Sequence, residues 1–280
     1  MDNNKNSYDA KKNMDEIQDE KTLHYRKMAE KRHDKDSGIF QGRYVNFKLG
    51  RLTDEFIYGR YQIFDEVKKD LKNLKPNSKV LDLGSGTGHL SKFISELGHE
   101  VIGIDPSKKM LDLASKNFSD IKFIDAISVD LPFDQNTFDY VVSIEVLRYL
   151  NKQDVINTYK EIYRVLKPNG FFNVTHVNLF ATDFYIIYYF FVKLSKSLKG
   201  LKYHNCYFTT PKNELQNVKK VGFKKVFASG RMFASIRIAY KFGMKLGRIY
   251  IRILEIINKR QVFLGIHKNF AGHLILRGYK

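Results

Sequence analysis

Three closely spaced glycines mark the stretch VLDLGSGTGHL, residues 80–90, as a candidate ligand-binding loop. Gly84, Gly86 and Gly88 follow an apolar run that predicts a buried strand, and a helical pattern comes next. Glycines let the backbone approach a ligand closely, and the start of a helix presents free N–H groups. A dinucleotide fingerprint needs glycine where this chain has His89, and no Gly-Lys-Ser/Thr follows as in a phosphate loop. The spacing therefore indicates a nucleotide-type loop of another class.

A second candidate group is Asp105, which ends the next predicted strand, EVIGID. A carboxylate at this edge of a parallel sheet can accept both hydroxyl hydrogens of a ribose. The alternative is a turn-forming aspartate in front of Pro106. Because the glycine loop is predicted to lie at the same edge, we favour the ribose role.

Strand and helix patterns alternate through the part of the chain that must position these groups. The strands are nearly continuous apolar runs, which is typical of a parallel sheet with helices on both faces. The strand patterns are KVLDL, EVIGID, IKFI, FDYVVSI and FFNVTH, followed by the closing strands KKVFASG and AGHLILRGYK. The sequence therefore predicts an α/β fold.

The patterns divide the chain into four parts. Residues 1–62 are predicted to form a polar tail and helical cap, with little to bury in the first 38 residues. Residues 63–176 form the α/β core, and residues 177–212 an aromatic-rich insertion. Residues 213–280 complete the sheet and contain a basic amphipathic insertion at 232–260. Thr210 is predicted to cap the helix that begins this last part.

The net charge of +18 is confined to one end of the chain. Residues 1–192 contain 28 Lys+Arg and 28 Asp+Glu, whereas residues 193–280 contain 20 Lys+Arg and two Glu. This asymmetry favours an anionic partner over a composition habit. A single cysteine, Cys206, excludes a disulfide framework, and the polar first residues carry no secretory signal. We therefore expect a cytoplasmic protein, and no metal site is predicted.

Four motifs together resemble, in order and spacing, the class I S-adenosylmethionine-dependent methyltransferases, especially the branch of ubiquinone and menaquinone biosynthesis. The motifs are VLDLGSGTG, VIGIDPSKKML, LPFDQNTFDYVVS and EIYRVLKPNGFF. The likeness covers roughly residues 63–176. It implies a Rossmann-like, doubly wound, seven-stranded and mostly parallel sheet with a C-terminal antiparallel strand.

The resemblance also implies S-adenosyl-L-methionine as cofactor and a role for each matching residue. Asp105 binds the ribose, while Pro106 and Met110 flank the adenine. The end of the fourth strand, from Ser143 to Val146 and including Glu145, lies under the sulfonium. The residues implied to hold the methionine part are Asp82, Gly84, Ser85, Gly86 and Gly88.

One position departs from the family pattern. The family has an aspartate four residues before LPF, where it accepts a hydrogen bond from the adenine amino group, and this chain has Ile127 there. Either Asp125 takes the role after a small register shift, or the backbone and Ser128 serve instead. The loss of one side-chain hydrogen bond costs about 0.5–1.5 kcal/mol, so binding is expected to weaken but persist.

Candidates for a general base or an acceptor-orienting group lie near strand ends. His176 ends the fifth strand, Tyr149 follows the fourth, and His204 precedes the helix of residues 211–221. Alignment of acceptor and donor supplies most of such a reaction, and a nearby base assists it. For each of the three residues, packing or capping is the alternative role.

The acceptor has to be inferred from the insertions. FATDFYIIYYFFVKL predicts either a buried helix over the sheet or a lid that lines an apolar pocket. Residues 234–258 place basic and apolar residues on opposite faces of a helix, which is typical of a helix that lies on an anionic membrane. The alternatives are packing on the domain and nucleic-acid binding. We therefore expect a peripherally membrane-associated methyltransferase acting on a quinone precursor, lipid or glycolipid; an RNA methyltransferase and a non-catalytic binding protein are the alternatives.

Overall fold

The computed structural model describes residues 20–30, 55–232, 243–264 and 267–280. Within these residues, helices and strands alternate as predicted. The helices are α1 (residues 20–30), α2 (Glu55–Lys72), α3 (His89–Glu96), α4 (Lys108–Asn117), α5 (Lys152–Val165), α6 (Tyr185–Leu198), α7 (Pro211–Val221), α8 (Met244–Leu264) and α9 (His267–Phe270). The strands are β1 (Lys79–Leu83), β2 (Glu100–Asp105), β3 (Lys122–Asp125), β4 (Phe138–Ser143), β5 (Leu166–Asn178), β6 (Phe208–Thr209), β7 (Lys224–Arg231) and β8 (His273–Tyr279).

The strands form one sheet in the order β3-β2-β1-β4-β5-β8-β7, and the two-residue β6 pairs with β5. Strands β1 to β5 are parallel, and β8 runs antiparallel to both β5 and β7. The predicted doubly wound, mostly parallel sheet is confirmed, with β6 as an additional eighth strand. The strand order reverses between β1 and β4, and in such sheets ligands bind outside the carboxyl ends of the strands at this point.

Helices cover both faces of the sheet and enclose two apolar clusters. On one face Val155 and Ile162 of α5 and Val218 of α7 pack against β1, β4 and β5. On the other face Val67 of α2 and Ile94 of α3 pack against the same strands. Burial on both faces explains why the strands read as continuous apolar runs.

Helix α1 is bound more firmly to the core than its polar sequence predicts. Tyr25 and Ala29 are buried, and Tyr25 belongs to the cluster under α5. The Tyr25 hydroxyl donates to Asp154, which also pairs with Lys21. Two apolar side chains one helical turn apart are enough to hold a single face of a helix, so this helix contacts the core through Tyr25 and Ala29 while most of its residues stay at least partly exposed.

Helix α7 begins as predicted, because Thr210 Oγ1 accepts from the N–H of Asn213 and Pro211 occupies the first turn. The insertion of residues 177–212 contains α6 and β6. In the insertion predicted at 232–260, α8 starts at Met244 and residues 233–242 lie outside the described ones. The apolar stretches of the described helices are all too short or too interrupted by charge to cross a bilayer.

Candidate active site

The glycine loop lies at the carboxyl end of β1 and is hydrogen-bonded to the end of β2. The backbone N–H groups of Gly84 and Ser85 both donate to the carbonyl oxygen of Ile104, each at 2.8 Å. Gly84 has a φ of +81°, and a Cβ there would overlap the side chain of Val146. Gly88 caps α3 with a φ of +80°. At both positions the backbone conformation favours glycine, which explains the spacing seen in the sequence.

Asp105 closes the loop from the neighbouring strand. Its carboxylate accepts from the N–H of Gly86 at 3.0 Å and from the N–H of Ser107 at 2.9 Å. The residue is buried, and burial raises the pKa of its carboxyl to about 6, although both hydrogen bonds act to lower it. Desolvated oxygens of this kind gain from an added hydroxyl donor, as the ribose role requires.

Asp82 is the second buried carboxyl group at this edge. Its Oδ2 accepts from the hydroxyl of Ser91 at 2.6 Å. Burial raises the pKa of Asp82 to about 7, the bond from Ser91 opposes this, and the charge of Asp105 adds to it. An ammonium group placed beside Asp82 would therefore relieve an unfavourable environment, as the methionine role requires.

Two features of the loop fit a bound S-adenosylmethionine. A Cβ built on Gly86 would meet no atom within 4 Å, so this glycine borders open space. The Oγ of Ser85 is buried and has no hydrogen-bond partner within the described part of the chain. A buried polar atom without a partner is rare in native structures and calls for an explanation. A ligand amino or carboxylate group at this loop would supply one.

The residues implied to contact the adenine are at least partly buried or already have partners. Pro106 is half-buried after β2, and Met110 is buried in the first turn of α4. Ile127 is buried, and the hydroxyl of Ser128 is hydrogen-bonded to Thr158 at 3.0 Å. Asp125 ends β3 beside Asp105 but forms an ion pair with Arg26 of α1.

Both side chains that the sequence offered in place of the missing aspartate already have partners in the structure. Arg26 engages the Asp125 carboxylate, and Thr158 engages the Ser128 hydroxyl. The backbone around Ile127 is the remaining polar surface named in the sequence prediction, and its role at the adenine stays a prediction.

The end of β4 adjoins the loop, as the motif order implies. The hydroxyl of Ser143 donates to the carbonyl oxygen of Leu83 at 3.0 Å, which ties β4 to the start of the loop. Glu145 has a φ of +64°, and its N–H donates to Thr175 Oγ1 at 2.7 Å. A left-handed conformation at a glutamate is strained, and such strain concentrates at functional sites.

A charged cluster beside the loop was missed by the sequence patterns. Glu145 pairs with Arg148 and with His273, whose Nδ1 lies 2.9 Å from Oε1 of Glu145. Burial acts to raise the pKa of Glu145, but the charges of His273 and Arg148 outweigh burial and hold that pKa well below its usual range. Arg60 of α2 also lies near: burial lowers its pKa, and the charge of Glu145 opposes that shift.

No local signal identifies this cluster, because Glu145 and His273 are 128 positions apart in the chain. They meet because β8 inserts beside β5, so that its first residue, His273, pairs with Val177 at the carboxyl edge.

Two of the three predicted base candidates are neighbours at this edge. The rings of Tyr149 and His204 are 6.2 Å apart, and the guanidinium of Arg148 lies 5.6 Å from the ring centre of Tyr149. The segment that carries His204 is held by Tyr207, whose N–H donates to the carbonyl oxygen of Arg148. Tyr149 and His204 therefore belong to the same side of the site as Glu145.

His176 lies in a different environment. It is fully buried, and its Nε2 is 2.6 Å from the hydroxyl of Tyr159, which also donates to Glu214 at 2.8 Å. Burial lowers the pKa of His176, so the ring is neutral. These contacts match the packing alternative for His176 under α5 and α7.

Comparisons with known proteins agree with this geometry. Residues 80–170 match the family described as "Methyltransferase domain". The demethylmenaquinone methyltransferase of Staphylococcus saprophyticus is 34% identical over 139 residues, which is 47% of this chain and 58% of that protein. The enzyme of the same name from Bacillus licheniformis is 31% identical over 150 residues, which is 51% of this chain and 62% of that protein. The alignments thus span less than two thirds of these relatives.

Solved structures show the same fold at low sequence identity. Phosphoethanolamine N-methyltransferase 2 of Haemonchus contortus, solved with phosphomonomethylethanolamine and S-adenosylhomocysteine, has a TM-score of 0.61 and 19% identity, covering 91% of this chain and 59% of that one. A SAM-dependent methyltransferase from Archaeoglobus fulgidus has a TM-score of 0.53 and 15% identity, covering 79% and 94%.

The fold is therefore that of the Rossmann-like methyltransferases. Residues 80–170, which carry the glycine loop and the matched motifs, form a methyltransferase domain similar to those of S-adenosylmethionine-dependent enzymes.

Proposed function

We propose that this chain transfers a methyl group from S-adenosylmethionine to an apolar small molecule, of the class of quinone precursors, lipids or glycolipids, at a membrane surface. The pair of desolvated carboxylates, Asp82 and Asp105, on either side of the glycine loop carries the donor half of this proposal. The curated relatives named demethylmenaquinone methyltransferase support the acceptor class.

Little covalent chemistry is required of the protein. When bound, the cofactor supplies a methyl group already activated by a positively charged sulfur. The chain must orient the acceptor toward that methyl group and exclude water, and such positioning can supply up to about 7–11 kcal/mol. The left-handed turn at Glu145 and the packing of Val146 against Gly84 bring the acceptor-side residues up to the loop.

Glu145 and His273 form the best candidate for a base at the acceptor. The ionised carboxylate of Glu145 lies 2.9 Å from Nδ1 of His273, where its charge favours an imidazole ring that takes up a proton from the acceptor. Arg148, whose guanidinium contacts both Glu145 and the hydroxyl of Tyr185, keeps the carboxylate in place. An acidic hydroxyl or an activated carbon of the acceptor can give up its proton to this pair.

Lipid-extract profiling of a deletion strain tests the proposed reaction. We expect the deletion strain to accumulate a species that lacks one CH₂ unit relative to the parent's product. The wild-type gene should restore the methylated product, and the Asp105→Asn variant should not. Identical lipid profiles in parent and deletion strain would overturn the acceptor class. Calorimetry with S-adenosylhomocysteine tests the donor separately, since no binding at millimolar ligand is the outcome expected of a non-catalytic protein.

Once an acceptor is known, His273→Gln tests the base. We expect kcat to fall by about 10²–10⁴-fold, the usual contribution of a general base, while the dissociation constant of S-adenosylhomocysteine stays unchanged. The matched control is His99→Gln, because His99 precedes β2 at the opposite edge of the sheet. Equal kcat values for both variants would remove His273 from the mechanism.

A further inference from the structure

Helix α6 turns its apolar face outward. Ile187, Phe190, Phe191, Leu194 and Leu198 fall within about 100° of the helix circumference. All five are exposed, with Phe191 at 71% and Leu198 at 80%. The sequence predicted a buried helix over the sheet or a lid that lines an apolar pocket; the exposure of these side chains contradicts burial of this face, and the lid stays a prediction. Large contiguous apolar surfaces are rare on soluble monomers and mark interaction sites.

The rotation of α6 is set by its inner face. Tyr189 is buried, its ring packs 5.1 Å from that of Phe208, and its hydroxyl donates to the carbonyl oxygen of His204 at 2.8 Å. The two lysines of the helix also turn inward: Lys193 lies over the ring of Tyr189 and Lys196 over that of Tyr203. The outward apolar face is therefore the consequence of specific inner contacts.

Helix α8 repeats this arrangement. Its inner side is held by Ile251, which is buried together with Gly247. A solvent-exposed apolar stripe covers about 80° of the circumference. The stripe consists of Leu246, Ile249, Ile253 and Ile256, and the exposed residues Lys245, Arg248 and Arg252 border it on one side.

Both helices are anchored at the same corner of the sheet. The segment before α6 is hydrogen-bonded to α9, which follows α8: Thr182 N–H donates to the carbonyl oxygen of Phe270 at 3.0 Å. Asn178, the last residue of β5, donates to the carbonyl oxygen of Asn269 at 2.9 Å. Phe180 and Phe270 are exposed at this junction. The segment that leads into α6 and the short helix that follows α8 therefore meet at the carboxyl edge that carries the candidate active site.

We propose that the outer faces of α6 and α8 insert together into the interfacial layer of a lipid bilayer that contains anionic lipids. Aromatic and aliphatic side chains on the outer faces of both helices, with cations along the border of the α8 stripe, suit this layer. The basic border argues against a second copy of the chain, because pairing would bring like charges together. Residues 193–280 carry 20 Lys+Arg against two Glu, and one of these, Glu214, is fully buried.

Inserted in this way, the protein would face the bilayer with the edge that holds Glu145 and the glycine loop, so an apolar acceptor could enter without crossing water. The biological use of the surface rests on the proposed function. Binding itself does not, since it requires neither cofactor nor turnover.

The chain contains no tryptophan, which allows a direct test. Phe191→Trp places a single fluorophore on the outer face of α6, and Phe227→Trp places one on an exposed position of β7. With vesicles of equal parts phosphatidylcholine and phosphatidylglycerol, we expect a blue shift and quenching by brominated lipid for Phe191→Trp alone. Equal responses of the two variants, or none from Phe191→Trp, would overturn the proposal.

Cosedimentation of the full chain with the same vesicles measures the affinity. The double change Phe191→Ser/Leu194→Ser should weaken binding by about tenfold or more, whereas the matched double change Leu97→Ser/Phe227→Ser should not. Arg248→Gln/Arg252→Gln should weaken binding to these vesicles and leave the weaker binding to pure phosphatidylcholine unchanged.

Two other results would also refute the proposal. One is a dimer in sedimentation velocity that dissociates in the Phe191→Ser/Leu194→Ser variant. The other is binding to RNA that equals vesicle binding and disappears with it as salt is raised. Thermal unfolding checks that each variant is folded. Calorimetry with S-adenosylhomocysteine separates the two proposals, because loss of vesicle binding with intact cofactor binding would leave the methyl transfer standing.

Discussion

Replacing Asp105 with asparagine tests the donor site most directly. The carboxylate accepts from the N–H groups of Gly86 and Ser107, so it shapes the loop in addition to its proposed role at the ribose. Because burial raises its pKa only to about 6, the group is almost fully ionised at about pH 8. Asparagine keeps the shape and one acceptor oxygen but loses the charge and the second acceptor.

Charge-assisted hydrogen bonds are worth about 1.5–3 kcal/mol, which corresponds to roughly 10- to 150-fold in the dissociation constant. We therefore expect Asp105→Asn to weaken S-adenosylhomocysteine binding by at least about tenfold in calorimetry at about pH 8. The matched control is Asp120→Asn, just before β3, where the side chain is exposed and paired with Lys92. If both variants bind within about twofold of wild type, the ribose assignment is wrong.

Four further predictions concern the two buried carboxyl groups, the glycine loop and the buried Glu214. Because burial raises the pKa of Asp82 to about 7 and of Asp105 to about 6, and the ligand binds the ionised forms, affinity for S-adenosylhomocysteine should rise at least about tenfold between about pH 5.5 and 8. For the ligand-free chain the sign is opposite: the stability that these groups contribute below their ordinary pKa of 3.8 is lost as pH rises from there to about 7. A free energy of unfolding in urea that shows no such fall relative to Asp82→Asn/Asp105→Asn would contradict it. Gly84→Ala should lower the free energy of unfolding by about 1–3 kcal/mol more than Gly98→Ala, since both have positive φ but only the first Cβ overlaps a neighbour; equal losses would show that Val146 moves aside. Glu214→Ala should cost about 3 kcal/mol or more by leaving the hydroxyls of Tyr159, Tyr207 and Thr209 without their acceptor, and Glu214→Gln should cost less; urea denaturation giving the same loss for both would refute the hydrogen-bond account.

The glycine loop and Asp105 could be predicted because their chemistry is local. The loop has left-handed backbone at Gly84, Gly86 and Gly88, which favours glycine there, and a strand end puts the next side chain at the edge of the sheet whatever packs elsewhere. The parallel order of β1 to β5 could also be predicted, because alternation of strands and helices along the chain is a local pattern that indicates a parallel sheet.

Only the tertiary structure decided the direction of the apolar face of α6 and the partners of the buried polar side chains, because both depend on which element packs against which. The periodicity of α6 shows that one face is apolar but is equally consistent with that face pointing in or out, and only the contacts of Tyr189 and Tyr203 settle its direction. His273 and Glu145 meet because β8 inserts antiparallel beside β5, a pairing between residues far apart in the chain. Alternation along β5 puts Thr175 and His176 on opposite faces of the sheet. Only the packing of α5 and α7 places Tyr159 and Glu214 over His176. On the other face, Thr175 accepts a hydrogen bond from the N–H of Glu145. Local spacing determines backbone conformation, whereas long-range packing determines the surroundings of each side chain.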